Sequence, residues 1–322
     1  MSARPYPIMI STILDALLPV AVAMCLGWLA GRLRVLAHDD ARVLAVFVIR
    51  FALPLALFEG AVETTPSKLE NIPLVVTLAV GLMGIFLLAL MVGKFAFRHD
   101  LKTASNQALV CAFPDMAYFG APILLAVFGP AGFIPVLLGN LVTSLLMLPL
   151  TIVLIQVADT SSAANGTRGI ASIFLHSIGA AVTNPMVWLP VSGAILSFLH
   201  VHLPHPVMAS VSMVAKSAGG TSLFALGLML YGEPFRINAN VAVNLLLKNF
   251  AQPVVMGVAA LTSGLGGAPA HQAIITGAVP TATAAAMFAL KSKTYTADAT
   301  ATILISTILG IVTEAAIIAF LR

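Results

Sequence analysis

Charge is scarce in this chain. Asp, Glu, Lys and Arg make up 9% of the 322 residues, and 60% are hydrophobic. A soluble domain carries about 25% charged residues. An ordinary soluble fold could not cover so much apolar surface, so a cytosolic enzyme is excluded, and so is a disordered chain. Cysteine is nearly missing: Cys25 and Cys111 both lie in apolar runs, which excludes a disulfide framework and a thiolate metal site and leaves two small buried side chains. Gly-rich phosphate loops, a nucleophile elbow and HExxH are all absent, so no enzyme and no cofactor is expected. His200, His202 and His205 form HVHLPH without a Cys or an acid beside them, which reads as a turn and not a metal site. The net charge of +4 comes from Lys and Arg scattered over short loops. That is the mark of loop topology and not of nucleic-acid binding. Met1 to Pro7 carries one Arg4 and no small-residue cleavage pattern follows, so no cleaved signal is expected.

What the chain does have is long apolar runs. A helical span needs about 20 such residues, and ten segments qualify: 9–31, 41–60, 72–97, 103–128, 132–157, 182–200, 206–231, 241–264, 270–290 and 299–321. In lipid they must be helices, because an open strand leaves its backbone unsatisfied. The expected fold class is therefore an all-α integral membrane protein. With the N-terminus outside, inner loops hold Arg32, Arg34, Arg42, Lys94, Arg98, Lys102, Arg168, Arg236, Lys291 and Lys293, against Arg4, Lys68 and Arg322 outside. That bias puts both termini on the non-cytoplasmic side of a cell inner membrane. The polar stretch DTSSAANGTR (159–168) is the one low-hydrophobicity linker, and RGIASIFLHSIGAAV after it reads as an interfacial amphipathic helix.

Five spans thus flank each side of a hinge, and the two sides match. At a constant offset of 166, Pro19 meets Pro185, Gly27 meets Gly193, Arg50 meets Lys216, Phe58 meets Phe224 and Pro114 meets Pro280. An odd number of spans per repeat turns the second copy upside down, which is the plan of secondary transporters. The expected division is 1–157 for the first repeat, 158–181 for linker and interfacial helix, and 182–322 for the second repeat. Spans four and nine carry mid-span prolines, in CAFPDMAYFGAP and GAVPTATAAA. Proline breaks a helix, and such a break at midplane depth survives only where the freed backbone meets protein, water or ligand. Two broken helices crossing at Pro114 and Pro280 would aim half-helix N-termini, partially positive, at a common point suited to a carboxylate. A mere kink in each packed helix is the alternative.

Ionisable residues inside spans are functional candidates by default: Asp15, Arg50, Asp115, Lys216, Lys248 and Glu314. Arg50 and Lys216 are repeat mates and would either frame an anion site from two sides or snorkel and pair. Asp115 directly follows the break and would hold a proton or cation beside the substrate, cap the half-helix, or do both. Its mate Thr281, with Thr283 two residues on, would coordinate a carboxylate or cap the backbone. Asn140 and Ser306 are also mates and read as interhelical hydrogen-bond groups. Asp15, Lys248 and Glu314 lie nearer span ends and read as structural pairs or snorkelling groups.

These strings resemble the auxin efflux carrier family. TNPMVWLPVSGAILSFLHVHLPHPV with LFALGLML looks like its sixth and seventh spans, and AVPTATAAAMFALKSKTYTADATATILISTIL like its ninth and tenth. LPLALF and FPDMAYFGAPIL complete a likeness over almost the whole chain. The resemblance implies ten helices in two inverted five-helix repeats, broken helices four and nine crossing at Pro114 and Pro280, and elevator-type movement. Spans one, two, six and seven would form the scaffold. Asp115 stands where the family commonly has asparagine and Ala117 where it has glycine, while Gly120 and Pro122 keep the pattern; Gly220 replaces a proline. The overall look is most similar to malonate carriers of bacteria. The expected function is secondary transport of a small carboxylate, malonate first, coupled to H+ or Na+, with Pro114, Asp115, Pro280, Thr281, Thr283, Arg50, Lys216 and Asn140 about the substrate and Asp115 at the coupling ion. The other partners are membrane lipid and, as an open arrangement, a second copy in a homodimer. The alternatives are an auxin-like or other monocarboxylate efflux carrier, a gated anion channel, or a membrane receptor, the last disfavoured because the chain has no room for a soluble output domain.

Overall fold

The structure is a computed structural model that describes residues 18, 22–37, 39–63, 71–163, 185–232 and 237–321. Asp15, Pro19, most of the linker and the segment read as an interfacial helix lie outside the described residues. The described chain is all helical: α1 Val22–Arg32, α2 Asp40–Glu63, α3 Ile72–Ala96, α4 Leu101–Ala112, α5 Ala121–Phe128, α6 Ile134–Thr160, α7 Pro185–Phe198, α8 His205–Met229, α9 Ala239–Thr262, α10 Gly267–Ala278, α11 Thr283–Ser292 and α12 Thr296–Phe320. Six of these (α2, α3, α6, α8, α9 and α12) are long and apolar enough to cross a membrane. Large apolar side chains stay exposed along their outer faces, among them Phe95, Leu261 and Phe320. Such a surface suits lipid and not water.

Local sequence sets the helix ends. Asn71, Asp100 and Asn238 each accept a hydrogen bond from the backbone N–H three residues on, which satisfies a donor that the first helical turn leaves free. Other ends carry residues in the left-handed region, a rare conformation outside glycine. Three pairs of these stand 166 residues apart: Arg34 and His200, Arg98 and Gly264, Gly129 and Tyr295. The bonding recurs with them. Leu33, Arg34 and Val35 donate to Leu29, Gly31 and Ala30; Leu199, His200 and Val201 donate to Ile195, Ser197 and Leu196.

Packing follows the same interval. A Cβ on Gly27 of α1 would strike the Phe224 carbonyl of α8, and one on Gly193 of α7 would strike the Phe58 carbonyl of α2. Small residues let membrane helices approach to backbone contact in this way. α2 packs chiefly on α7 and α8, whereas α3, α4, α9 and α10 pack on one another. Hydropathy did not foreshadow the five π-helical stretches among the described residues, at Val48–Ala52, Val92–Ala96, Met116–Gly120, Thr143–Met147 and Leu246–Ala251. Each loosens a helix and turns the faces on either side relative to each other; such turns gather at functional sites.

Candidate functional site

The prolines do break both helices. α4 ends at Ala112 and the chain resumes as a π turn at Met116; α10 ends at Ala278 and α11 begins at Thr283. The two breaks meet as an isolated antiparallel bridge between Pro114 and Thr281. The Asp115 N–H donates to the Pro280 carbonyl at 2.9 Å, and the Ala282 N–H to the Phe113 carbonyl at 2.8 Å. This register is the one the sequence permits. Neither Pro114 nor Pro280 has an N–H to give; the bridge takes its donors from Asp115 and Ala282 and uses Pro280 only as an acceptor, through its carbonyl.

A helix that stops in an apolar interior leaves its last carbonyls without partners. Here two side chains from elsewhere in the fold supply them. Thr281 Oγ1 donates to the Val110 carbonyl at 2.9 Å, and Gln252 Nε2 donates to the Ala112 carbonyl at 3.0 Å. The Thr281 N–H in turn donates to Ser306 Oγ at 3.2 Å, and Gly310 lies against the Pro280 ring, where a Cβ would come within 3.0 Å of it. Thr283 shares a hydrogen bond of 3.0 Å with Ser222 of α8. Neither threonine caps α11: its N-cap is Ala282, with no side-chain hydrogen bond. Thr281 thus caps backbone, but at the end of α4 through the Val110 carbonyl, and α11 opens with a partially positive N-terminus that no side chain caps.

Behind the crossing runs a polar stripe that the sequence reading passed over. Asn244, Lys248, Gln252 and Met256 of α9 are all fully buried, four residues apart on one face. On α12 the matching stripe is Thr302, Ser306, Gly310 and Glu314, buried as well. Gln107 Nε2 and Cys111 Sγ of α4 donate to Asn244 Oδ1, and Asn244 Nδ2 reaches Tyr295 Oη and Thr302 Oγ1. Burial pushes the Tyr295 hydroxyl above its ordinary range, so it stays neutral. Lys248 Nζ donates to Gln252 Oε1 at 2.6 Å, one side chain away from the break. Lys248 and Glu314, read as groups near span ends, do not snorkel; both are sealed inside. The signal was present as N-x3-K-x3-Q in an apolar span, polar groups on every fourth residue.

The structure brings Pro114, Asp115, Pro280 and Thr281 together and sets Thr283 at the mouth of α11. Asp115 is 8% exposed, and its carbonyl accepts from the Phe119 and Gly120 N–H groups. Asn140 is half-buried on α6, next to Gly139, whose α-carbon faces the Met116 side chain just past the break. Arg50 and Lys216 stand elsewhere. Arg50 is exposed in the π stretch of α2, with Lys291 of α11 as its electrostatic neighbour. Lys216 is exposed at a turn within α8 and lines a cavity of about 610 Å³ with Glu59, Glu63, His205 and Ser212. Among the described residues no cluster of His, Cys, Asp and Glu suited to a metal ion is found.

Relatives extend over nearly the full length. The chain is 27% identical to "Uncharacterized transporter YfdV" of Escherichia coli K12 over 311 residues, covering 95% of this chain and 96% of that one. It is 25% identical to "Putative malonate transporter" of Rhizobium meliloti, covering 95% and 94%. It is 20% identical to "Auxin efflux carrier component 5" of Arabidopsis thaliana, covering 86% and 87%. The likeness to auxin efflux carriers rests on these alignments as well as on motifs. With residues 12–318 matched, the chain belongs to the membrane transport protein family, as a transporter and not an enzyme.

Proposed function

We propose that this protein is a secondary carrier of a small carboxylate, malonate being the first candidate, in a bacterial inner membrane. The observation that carries the reading is the backbone bridge at Pro114 and Thr281, which joins two interrupted helices and leaves the N-terminus of α11 uncapped. A carboxylate is the ligand such a point attracts. The substrate lies against Pro114, Asp115, Pro280 and Thr281, with Thr283 and Asn140 beside it. Arg50 and Lys216, exposed on α2 and α8, draw the anion toward the site from either end. A coupling cation, H+ or Na+, is held at Asp115. The relative whose name gives malonate supports the choice of substrate.

The architecture in this reading is ten spans in two inverted repeats, 1–157 and 182–322, around a linker at 158–181, with both termini outside. Support comes from the left-handed residues and helix-end bonds that recur at 166 residues, and from the exchange in which Gly27 meets Phe224 while Gly193 meets Phe58. Elevator movement carries α3–α6 and α9–α12 past a scaffold of α1, α2, α7 and α8, and the heavy packing of α2 on α7 and α8 supports that division.

Counterflow of radiolabelled malonate in proteoliposomes tests the proposal, with acetate, succinate and indole-3-acetate as competitors. Saturable exchange blocked best by unlabelled malonate is the expected result. Exchange of another acid instead removes malonate and keeps the carrier, and currents without saturation or counterflow make it a channel. Asp115→Asn should keep exchange and lose ion-driven accumulation; unchanged accumulation removes Asp115 from coupling.

A further inference from the structure

Three charged side chains are buried among the described residues: Lys248, Asp115 and Glu314. They comprise two acids and one ammonium. Lys248 lies within electrostatic range of Cys111, Glu314 and Asp115, and its hydrogen bond goes to the neutral Gln252. Glu314 is 2% exposed, and among the described residues neither of its carboxylate oxygens has a hydrogen-bond partner. An unpartnered buried polar group in a native fold calls for an explanation, and a buried ionised carboxylate needs a counter-charge. Position supplies one explanation. Glu314 is one turn beyond Gly310, which touches Pro280, and two beyond Ser306, which holds the Thr281 N–H. Lys248 is linked through Gln252 to the carbonyl at which α4 stops.

We propose that Lys248 is the buried positive charge for which the substrate carboxylate, Asp115 and Glu314 compete, so that an anion reaches the crossing only as the acids take up a proton. This rests on the carrier reading above and names its coupling device. An anion arriving at the break adds negative charge beside the Lys248 ammonium and the unpartnered Glu314 carboxylate. Protonating one acid restores the balance, and the proton then travels with the substrate. The other titratable groups on helices packed against α12 are engaged or remote: Lys102 of α4 pairs with Asp159 at 2.7 Å, Lys291 of α11 stands by Arg50, His271 lies near the start of α10, and His205 and Lys216 of α8 are exposed. Cys111 of α4 is the remaining neighbour of Lys248, and its thiol donates to Asn244.

Competition predicts a pH dependence with a definite sign. Glu314 competes only when ionised, so Glu314→Gln should match the native chain in malonate affinity at pH 6 and exceed it by about tenfold at pH 8, the equivalent of roughly one unit of lost coupling. Equilibrium binding of radiolabelled malonate to purified protein measures both. Native protein should also take up protons when malonate is added in weak buffer with a pH-indicator dye. Lys248→Met should lose malonate binding by at least about tenfold, and Lys248→Met with Glu314→Gln should recover part of it. Affinities of native and Glu314→Gln protein that track each other across pH overturn the proposal, as does malonate binding at pH 8 without proton uptake. If native protein binds no malonate, the malonate reading fails separately, and the infrared carboxyl band of ligand-free protein decides. A protonated-carboxyl band missing from Glu314→Gln, and vanishing at a different pH in Lys248→Met, supports the shared charge. A band indifferent to Lys248→Met overturns it.

Discussion

Gln252 holds two loose ends of the molecule with one side chain, and replacing it with leucine measures what that is worth. Its Oε1 accepts from Lys248 Nζ at 2.6 Å, and its Nε2 donates to the Ala112 carbonyl at 3.0 Å. Both contacts are fully buried. Leucine fills similar space, so the cavity cost is small and the loss is polar. A hydrogen bond to a charged group contributes about 1.5–3 kcal/mol, and an orphaned buried carbonyl costs about 1–3 kcal/mol. Membrane interiors give smaller values for single bonds, near 1 kcal/mol, because the unfolded helices find other partners. Gln252→Leu should therefore destabilise by about 2–4 kcal/mol. At about 2–4 °C per kcal/mol for a chain of this order, the apparent midpoint of thermal unfolding in detergent should fall by roughly 5–15 °C. Gln252→Glu, which restores an acceptor for Lys248 but not a donor for Ala112, should fall in between. A midpoint for Gln252→Leu within about 2 °C of native would refute the view that this side chain closes the end of α4.

Three further outcomes follow from close contacts and burial. Gly227→Val should destabilise by about 1–3 kcal/mol or more, because a Cβ there meets the Met24 backbone where α8 crosses α1; Gly220→Ala, with open space around it, should be neutral or slightly stabilising, and thermal midpoints compare the two. A maleimide reagent should label at most one thiol per native chain, since Cys25 is exposed and Cys111 buried, and two after denaturation; mass spectrometry counts them. Thr281→Val removes the donor to Val110 and should cost about 1–2 kcal/mol while lowering substrate exchange; unchanged exchange would separate the hydroxyl from the binding site.

How much of this was legible in the sequence depends on which signals are local. The breaks at Pro114 and Pro280 were legible from their shared offset and not from proline alone, since Pro54, Pro149, Pro190 and Pro253 lie inside continuous α2, α6, α7 and α9. The repeat spacing that pointed to them is also carried by Arg34 and His200, whose shared left-handed turn no hydropathy profile would reveal. Arg50 and Lys216 show the opposite case. Their shared offset of 166 concerns position along the chain and not the direction a side chain faces, and both are exposed. Lys248 and Glu314 were read by distance from a span end, on the premise that long side chains snorkel. The premise needs a free path to water. The π stretch Leu246–Ala251 contains Lys248, and in it the residue faces inward with Asn244 and Gln252. Direction within a membrane helix is thus set by neighbours four residues away, and a lone charge should be read together with the polar groups at that spacing before its depth is considered. By that rule the Asn244–Lys248–Gln252 stripe, facing Gln107 and Cys111 on α4, marks the inner wall of the crossing.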